Sequence, residues 1–407
     1  MQSYDYLIVG GGMVADAAAR GIRELDGSGT IGILSADVDE PYTRPALTKK
    51  LWTDPDFTWD QVPLGTADDT GAEIRLETVV TAIDRDGRTV EIGDGERVGY
   101  RRLLLATGSR PHEVDAPESD RVLFFRSADD YRRLREVAVE GARIVVVGGG
   151  YIGAELAAAL VQNDVTVDLV FPSATLGDGT FPRQLAERYE ALFRDAGVHL
   201  VPHRRVDEVV ARDAAGAPGV VLDAGLDVVL DDGTRLRGDA VVLGLGVSPV
   251  TDLAEHAGLA VDDGVVVDEF LATNDDAIWA AGDIASYPDR LLGRTRVEHV
   301  DNAQEMGRSA GRAMAGSGQA YRHTPYFYSQ VFGVRWEAIG TLDPDLDPLV
   351  VEIGDDDSGP RTVVYYRDES GTPVGVLLWN VADATDAARL VLADRPSDEA
   401  ELRGRIS

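Results

Sequence analysis

Two glycine clusters carry the first chemical signal. In YDYLIVGGGMVADAAARGI, starting at Tyr4, residues Gly10, Gly12 and Ala15 fit the spacing GxGxxA; in ARIVVVGGGYIGAELAAAL, starting at Ala142, Gly148, Gly150 and Gly153 fit GxGxxG. Each cluster follows a Val/Ile/Leu run and opens an alanine-rich stretch, the strand–turn–helix context in which this spacing has physical meaning. The first glycine permits a tight turn, the second lets the backbone approach a pyrophosphate, and the third position allows close helix–strand packing. The start of the following helix then offers N–H groups and a positive dipole to the phosphates. A second signal is a census. The stretch RPALTKK, Arg44 to Lys50, holds the only two lysines of the chain, Lys49 and Lys50, beside 37 arginines. Salt adaptation exchanges surface lysine for arginine, whereas a site that needs a compact ammonium on a slim stem cannot accept a guanidinium.

The elements that must position these residues follow from periodicity. Short Val/Ile/Leu runs alternate with helical patterns up to about residue 320, the signature of βαβ units with buried parallel sheets. Thr89–Arg102 and Val228–Arg237 read as hairpins with Asp-Gly turns. Beyond Tyr321 aromatic residues thicken, VVYYRDESGTPVGVLLWNV alternates as an antiparallel pair turning at Ser370–Pro373, and a loop is expected at Gly354–Pro360. The expected fold is α/β, with two Rossmann-like nucleotide-binding domains and a C-terminal α+β domain.

Composition removes whole classes of function. With 407 residues and 44% hydrophobic content the chain can bury a sizeable core, and its formal charge is -32. Such a balance argues against nucleic acid, since phosphate neutralisation needs a basic surface. The acid is spread along the chain, which fits solvation in concentrated salt better than an acidic face for a basic partner. There is no cysteine, so disulfides, thiolate metal sites and CxxC redox pairs are excluded, and no metal site is expected. The N-terminus enters a strand pattern without a basic leader, and no apolar run is long enough to span a bilayer. The expectation is a cytoplasmic protein with no membrane partner.

Further marks are LLLATGSRP (Leu103–Pro111), VVLGLGVSPVTDL from Val241, and IWAAGDIA, which contains Gly282 and Asp283. Together with PYTRPALTKKLW, GGGYIGAELA, LFRDAGVHLVP, RVEHVDNA, WEAIG and VGVLLWN, these marks run in order along nearly the whole chain. The sequence resembles the FAD-dependent pyridine nucleotide-disulfide oxidoreductases, in the branch of ferredoxin reductases and apoptosis-inducing-factor-like proteins. The resemblance implies an FAD domain at 1–116 and 240–320, an NAD(P) domain at 117–239, and a C-terminal domain at 321–407. It assigns Gly10, Gly12 and Ala15 to the FAD pyrophosphate and Asp283 to the ribityl chain. Ala106, Thr107, Gly108 and Gly282 would be further FAD contacts. Lys49 would lie beside flavin N5, paired with Glu155. Glu298, His299 and Val300 match a segment whose following helix points at the flavin pyrimidine. Gly148, Gly150, Tyr151, Ile152, Gly153, Gly246 and Glu337 are the implied NAD(P) residues, with Glu337 on the nicotinamide side.

Some positions depart from the family pattern. The acid expected after the first glycine motif aligns with Ala36, one residue before Asp37, which can substitute by a small shift. The NADH-reading glutamate aligns with Ser173, and no arginine cluster stands there for a 2′-phosphate, so NADH and NADPH both stay open, with NADH favoured through Glu337. Arg44 either serves the isoalloxazine or caps a turn; His299 either contacts nicotinamide or is structural. Tyr328 and Trp336 are shields or core, and Trp379 reads as core. Without cysteine, dithiol and sulfenic-acid chemistries are closed. What remains is hydride transfer from NADH or NADPH to FAD and release of electrons to an external acceptor. The first reading is a reductase feeding a ferredoxin- or rubredoxin-like carrier; the second is a redox-sensing protein with slow NADH oxidation and reduction-linked homodimerisation; the third is an NADH dehydrogenase to quinone or dioxygen.

Overall fold

The structure is a computed structural model, and it describes residues 1–93, 95–212, 225–356 and 359–406. It forms two compact units. The first comprises Met1–Arg44, Thr58–Arg110 and Ser248–Phe327; the second comprises Pro45–Phe57, Pro111–Val247 and Tyr328–Ser407.

The first unit is built on a seven-stranded sheet in the order Glu73–Arg75, Ile31–Leu34, Ser3–Val9, Glu96–Leu105, Thr89–Ile92 and Val80–Asp84, with Ile278–Ala280 also paired to Glu96–Leu105. Its central strands are parallel, Ile8 lying beside Ile33 and Leu104. They are buried on both faces, which is why they read as unbroken apolar runs. The pair Thr89–Ile92 and Glu96–Leu105 is antiparallel, as the hairpin pattern predicts, with position 94 of its turn outside the described residues.

Helix Met13–Arg23 packs on helix Val300–Met314 at backbone contact. The crossing is made by glycines. A Cβ on Gly311 would lie 2.1 Å from the Ala18 carbonyl oxygen, one on Gly307 2.7 Å from that of Val14, and one on Gly21 2.2 Å from that of Arg308. Helix Met13–Arg23 starts just beyond the C-terminal end of strand Ser3–Val9, the place where nucleotides bind in such folds.

The second unit contains a five-stranded parallel sheet in the order His199–Val201, Thr166–Val170, Arg143–Val147, Ala240–Leu243 and Val122–Leu123, and a three-stranded antiparallel sheet of Val206–Ala211, Leu226–Leu230 and Arg235–Gly238. It also holds the antiparallel five-stranded sheet Phe327–Val331, Val334–Gly340, Pro373–Trp379, Gly359–Arg367 and Asp347–Asp356. Gly359–Arg367 and Pro373–Trp379 are the expected hairpin. The loop expected at Gly354–Pro360 is replaced in part by strand, its residues 357 and 358 lying outside the described ones. Phe181, Tyr189, Phe193, Trp336 and Trp379 form an edge-to-face aromatic core with ring centroids 5.1 to 6.1 Å apart. No helix among the described residues is long and apolar enough to cross a membrane.

Gly311→Val is expected to destabilise the protein by at least about 1–3 kcal/mol through overpacking of the helix crossing. Gly318→Ala, at a position where an added Cβ meets nothing within 4 Å, should stay within about 0.5 kcal/mol of the parent. Denaturant unfolding followed by circular dichroism reads both.

Candidate active site

In the first unit the GxGxxA turn is shaped by contacts that only its sequence allows. Gly10 sits at φ +115°, where a Cβ would be 2.1 Å from the Ala106 carbonyl oxygen. Gly12 is different. It has extended backbone (φ -91°, ψ -166°) at the start of helix Met13–Arg23, and no side chain caps that helix. A Cβ there would meet only the Arg44 Nη2, 4.0 Å away. The backbone at Gly12 is thus open next to the helix N–H groups, with the Arg44 guanidinium nearby, an arrangement that could hold an anion. Ala15 is fully buried beneath it. Arg44 thus faces the glycine turn and also lies over the Tyr42 ring.

Around this turn the other FAD candidates gather. The Asp37 carboxylate accepts from the Asp39 N–H at 3.2 Å and from the Tyr42 hydroxyl at 3.3 Å. Ala106 follows the strand end, Thr107 Oγ1 donates to the Val250 carbonyl at 2.7 Å, and Gly108 has φ +68°. Gly282 (φ +78°) precedes Asp283, whose carboxylate accepts from Ser109 Oγ at 2.8 Å. Arg296 ties two of the candidates together, donating to the Asp283 carbonyl at 3.1 Å and pairing with the Glu298 carboxylate. His299 caps helix Val300–Met314, its Nδ1 accepting from the Asp301 N–H at 3.4 Å. That bond gives it a structural role at the start of the helix.

In the second unit Gly148 repeats Gly10 (φ +112°, a Cβ 2.1 Å from the Gly244 carbonyl oxygen), and a Cβ on Gly153 would strike the Gly148 carbonyl oxygen at 1.9 Å. Gly150 repeats Gly12: it starts the uncapped helix Tyr151–Val161, and a Cβ there meets nothing within 4 Å. Tyr151 is exposed, its ring 5.4 Å from that of Trp336, and Ile152 follows it on the helix. Gly246 (φ +92°) accepts from the His112 N–H at 2.9 Å.

Ser173 uses its hydroxyl internally, donating to the Thr175 carbonyl at 3.0 Å. The fold brings to it two residues that linear reading missed. The His203 N–H donates to the Ser173 carbonyl at 3.0 Å, and the Arg204 N–H to that of Phe171 at 3.1 Å. The Arg204 guanidinium is paired with Asp232 at 2.7 Å.

Lys49 and Glu155 meet. The lysine Nζ donates to Glu155 Oε2 at 2.6 Å, and the carboxylate is only 6% exposed. Two hydroxyls not anticipated from sequence complete the shell: Thr48 Oγ1 donates to Oε2 at 2.6 Å and Ser329 Oγ to Oε1 at 2.7 Å. The Lys49 ammonium lies 5.5 Å from the Tyr328 ring centroid, and the Arg335 guanidinium lies 5.1 Å from the same ring. Arg335 in turn donates to Glu337 at 3.0 Å, so each candidate carboxylate pairs with a cation that lies near the Tyr328 ring. Burial, with the Glu155 charge adding to it, holds the Tyr189 phenol well above its usual range. Trp336 and Trp379 are core, 1% and 3% exposed. Lys50 is exposed and lies over Phe57.

The segment bearing Lys49 is held by a separate anchor. Asn163 Nδ2 donates to the Trp52 carbonyl at 3.0 Å, the Arg135 guanidinium stacks 4.7 Å from the Trp52 ring, and Tyr131 packs edge-on against it. At an effective dielectric near 20, a pair at about 4 Å is worth roughly 4 kcal/mol, comparable with the cost of desolvating it. The pair therefore organises the site more than it stabilises the fold. Glu155→Leu alone is expected to cost about 3 kcal/mol, because it strands an ammonium and two hydroxyls. Lys49→Met added to it should recover part of that loss in denaturant unfolding, giving a clearly non-additive cycle.

With this geometry in view, comparison with known proteins is direct. A model of the pyridine nucleotide-disulphide oxidoreductase family matches residues 4–307. The ferredoxin–NAD(+) reductase component of the anthranilate 1,2-dioxygenase system of Burkholderia cepacia is 31% identical over 398 residues, covering 97% of this chain and 95% of that protein. Mitochondrial apoptosis-inducing factor 1 of Dictyostelium discoideum is 30% identical over 438 residues, covering 98% of this chain and 80% of its own length. The solved covalent putidaredoxin reductase–putidaredoxin complex superposes with a TM-score of 0.86 at 28% identity, covering 99% of this chain and 95% of that one. With two Rossmann-like sheets, two glycine turns and a family match over most of its length, the chain belongs to the pyridine nucleotide-disulphide oxidoreductases.

Proposed function

We propose that the protein is an FAD-dependent NAD(P)H oxidoreductase that passes electrons from NADH or NADPH through FAD to a small carrier protein of the ferredoxin or rubredoxin type. The observation that carries this reading is the pairing at 2.6 Å of the part-buried Lys49 with the buried Glu155 in a chain without cysteine. When bound, FAD supplies the chemistry itself, accepting a hydride and releasing its electrons to the carrier. The protein supplies binding, orientation and charge.

In this reading Gly10, Gly12 and Ala15 admit the FAD pyrophosphate to the helix N-terminus, and Arg44 balances its charge. Asp37 takes the adenosine ribose and Asp283 the ribityl chain, with Ala106, Thr107, Gly108 and Gly282 shaping the backbone around them. The helix starting at Val300, capped by His299 beside Glu298, offers its positive end to the flavin pyrimidine. Gly148, Gly150, Tyr151, Ile152 and Gly153 receive the NAD(P) pyrophosphate, Ser173 and Gly246 line the dinucleotide, and Glu337 serves the nicotinamide side. The domains follow as 1–116 with 240–320 for FAD, 117–239 for NAD(P), and 321–407 at the C-terminus.

Lys49 places a fixed ammonium that favours the negative charge gained on flavin reduction, and Glu155 holds it in place. The acidic, lysine-poor composition supports work in concentrated salt, in the cytoplasm, where the Debye length falls to about 3 Å. Carrier docking then relies on short-range contacts and not on long-range steering.

The similarity to apoptosis-inducing factor supports a second reading, a redox sensor with slow NADH oxidation and reduction-linked dimerisation. Stopped-flow mixing with NADH and NADPH separately, followed by reoxidation, separates the two. The reductase predicts rapid flavin bleaching and reoxidation by a ferredoxin or rubredoxin faster than by air. Sluggish bleaching with an air-stable reduced form supports the sensor, and a colourless protein or one reduced by neither nucleotide overturns both.

Two substitutions map the sites. Gly12→Val should purify largely without flavin. Gly150→Val should keep its flavin yet weaken nucleotide binding by about tenfold or more, because each side chain fills phosphate space at a backbone conformation that tolerates it.

A further inference from the structure

Lys49, Glu155, Tyr328 and Ser329 come from three separate stretches of chain, and the last two are neighbours on strand Phe327–Val331. Ser329 is 0% exposed and gives its hydroxyl hydrogen to Glu155 Oε1 at 2.7 Å. Oε2 is thereby left to Thr48 and Lys49, each at 2.6 Å, and the lysine also lies 3.5 Å from the Thr48 hydroxyl. All three donors point at the carboxylate, the arrangement of an ionised acid that only accepts.

An ionised carboxylate with one oxygen unpartnered in a buried site is costly, and it rotates to share both oxygens with whatever donors remain. Here those donors are Thr48 and Lys49. Without Ser329 the carboxylate would turn its second oxygen toward the ammonium, shifting the ammonium and neutralising more of its field. The Ser329 hydroxyl prevents this rotation. Tyr328, one residue earlier, presents its ring to the same ammonium at 5.5 Å to the centroid.

We propose that Ser329 is a positioning residue for flavin reduction: by holding Glu155 Oε1 it fixes the place and the unshared charge of the Lys49 ammonium. The C-terminal sheet thus contributes to the electrostatics of the reaction indirectly, through Glu155 and Lys49. The inference rests on the NAD(P)H–flavin reading above.

The lysine census supplies a direct test. Protein labelled with 13C at lysine Cε gives two side-chain signals, Lys49 and Lys50, and the exposed Lys50 serves as internal control. In the holoprotein, Ser329→Ala should move the Lys49 signal and leave that of Lys50 in place. In a Glu155→Gln background the same replacement should move neither. The limiting rate of flavin reduction should fall about tenfold, the effect of one lost hydrogen bond to a charged group, with the nucleotide dissociation constant changed less than about twofold. Ser329→Cys, which keeps the volume but offers a weak S–H donor, should fall between Ala and the parent on both readouts and covers any folding defect of the alanine variant.

A Lys49 signal and a limiting rate both unchanged in Ser329→Ala overturn the proposal, as does a rate loss that comes wholly from weakened nucleotide binding. A purely structural hydroxyl would lower the unfolding midpoint and leave both readouts alone, which also overturns it. If the parent protein shows no flavin reduction by either nucleotide, the functional reading fails and the kinetic role falls with it. A Lys49 signal that still moves in that case shows that the placement of the ammonium was read correctly while the reaction was not.

Discussion

The buried carboxylate of Glu155 ties together three distant segments of the second unit. Glu155 must stay charged to hold Lys49, and a charge in that environment is tolerated only with a full shell of donors. The shell is assembled from afar: Thr48 and Ser329 stand 107 and 174 residues away in sequence. Segment Pro45–Phe57 departs from its chain neighbours to join the second unit and is pinned there by the Trp52 anchor as well as by Glu155. The helix that carries Glu155 is the one whose N-terminus is opened by Gly150. One helix thus carries the N–H groups proposed to receive phosphate and, just over a turn on, the acid that pairs with the ammonium.

The first unit solves a different problem with the same glycine device. Gly10 and Gly148 each take a left-handed backbone conformation against a carbonyl of the neighbouring strand, and Gly12 and Gly150 each leave space that a side chain would occupy. Uncapped helix ends normally call for a side-chain partner. Both helices lack one at the position where the backbone is bare, which leaves their N–H groups open to the phosphates proposed above. Many of the remaining ionic groups pair with one another, as in Arg143–Asp168 and Arg194–Glu190, within a chain whose formal charge is -32.

Much of this was legible in the sequence because it is local. The glycine spacings, the apolar strand runs and the hairpins at Val228–Arg237 and Ser370–Pro373 follow from periodicity and turn chemistry within a few residues. Lys49 stood out for a compositional reason, as one of two lysines among 37 arginines. The hydroxyl partners of Glu155 did not stand out, since a threonine and a serine carry no pattern of their own and their role exists only once distant segments meet. The surroundings of Ser173 make the same point. Its replacement of a glutamate is visible in the sequence, but the approach of His203 and Arg204 comes from the parallel pairing of Thr166–Val170 with His199–Val201. Arg44 had two readings, and its nearness to Gly12 emerged only from the folded turn.

The account rests on a fixed positive charge that favours the reduced flavin. The most direct measurement is the flavin midpoint potential of the purified holoprotein, determined by equilibrium titration against a reference dye, for the parent and for Lys49→Met. Loss of about 1.4 kcal/mol of stabilisation of the reduced form corresponds to roughly 30 mV in a two-electron couple, so the variant is predicted to be more negative by at least about that amount. A potential unchanged in Lys49→Met, with flavin still fully bound, would contradict the account.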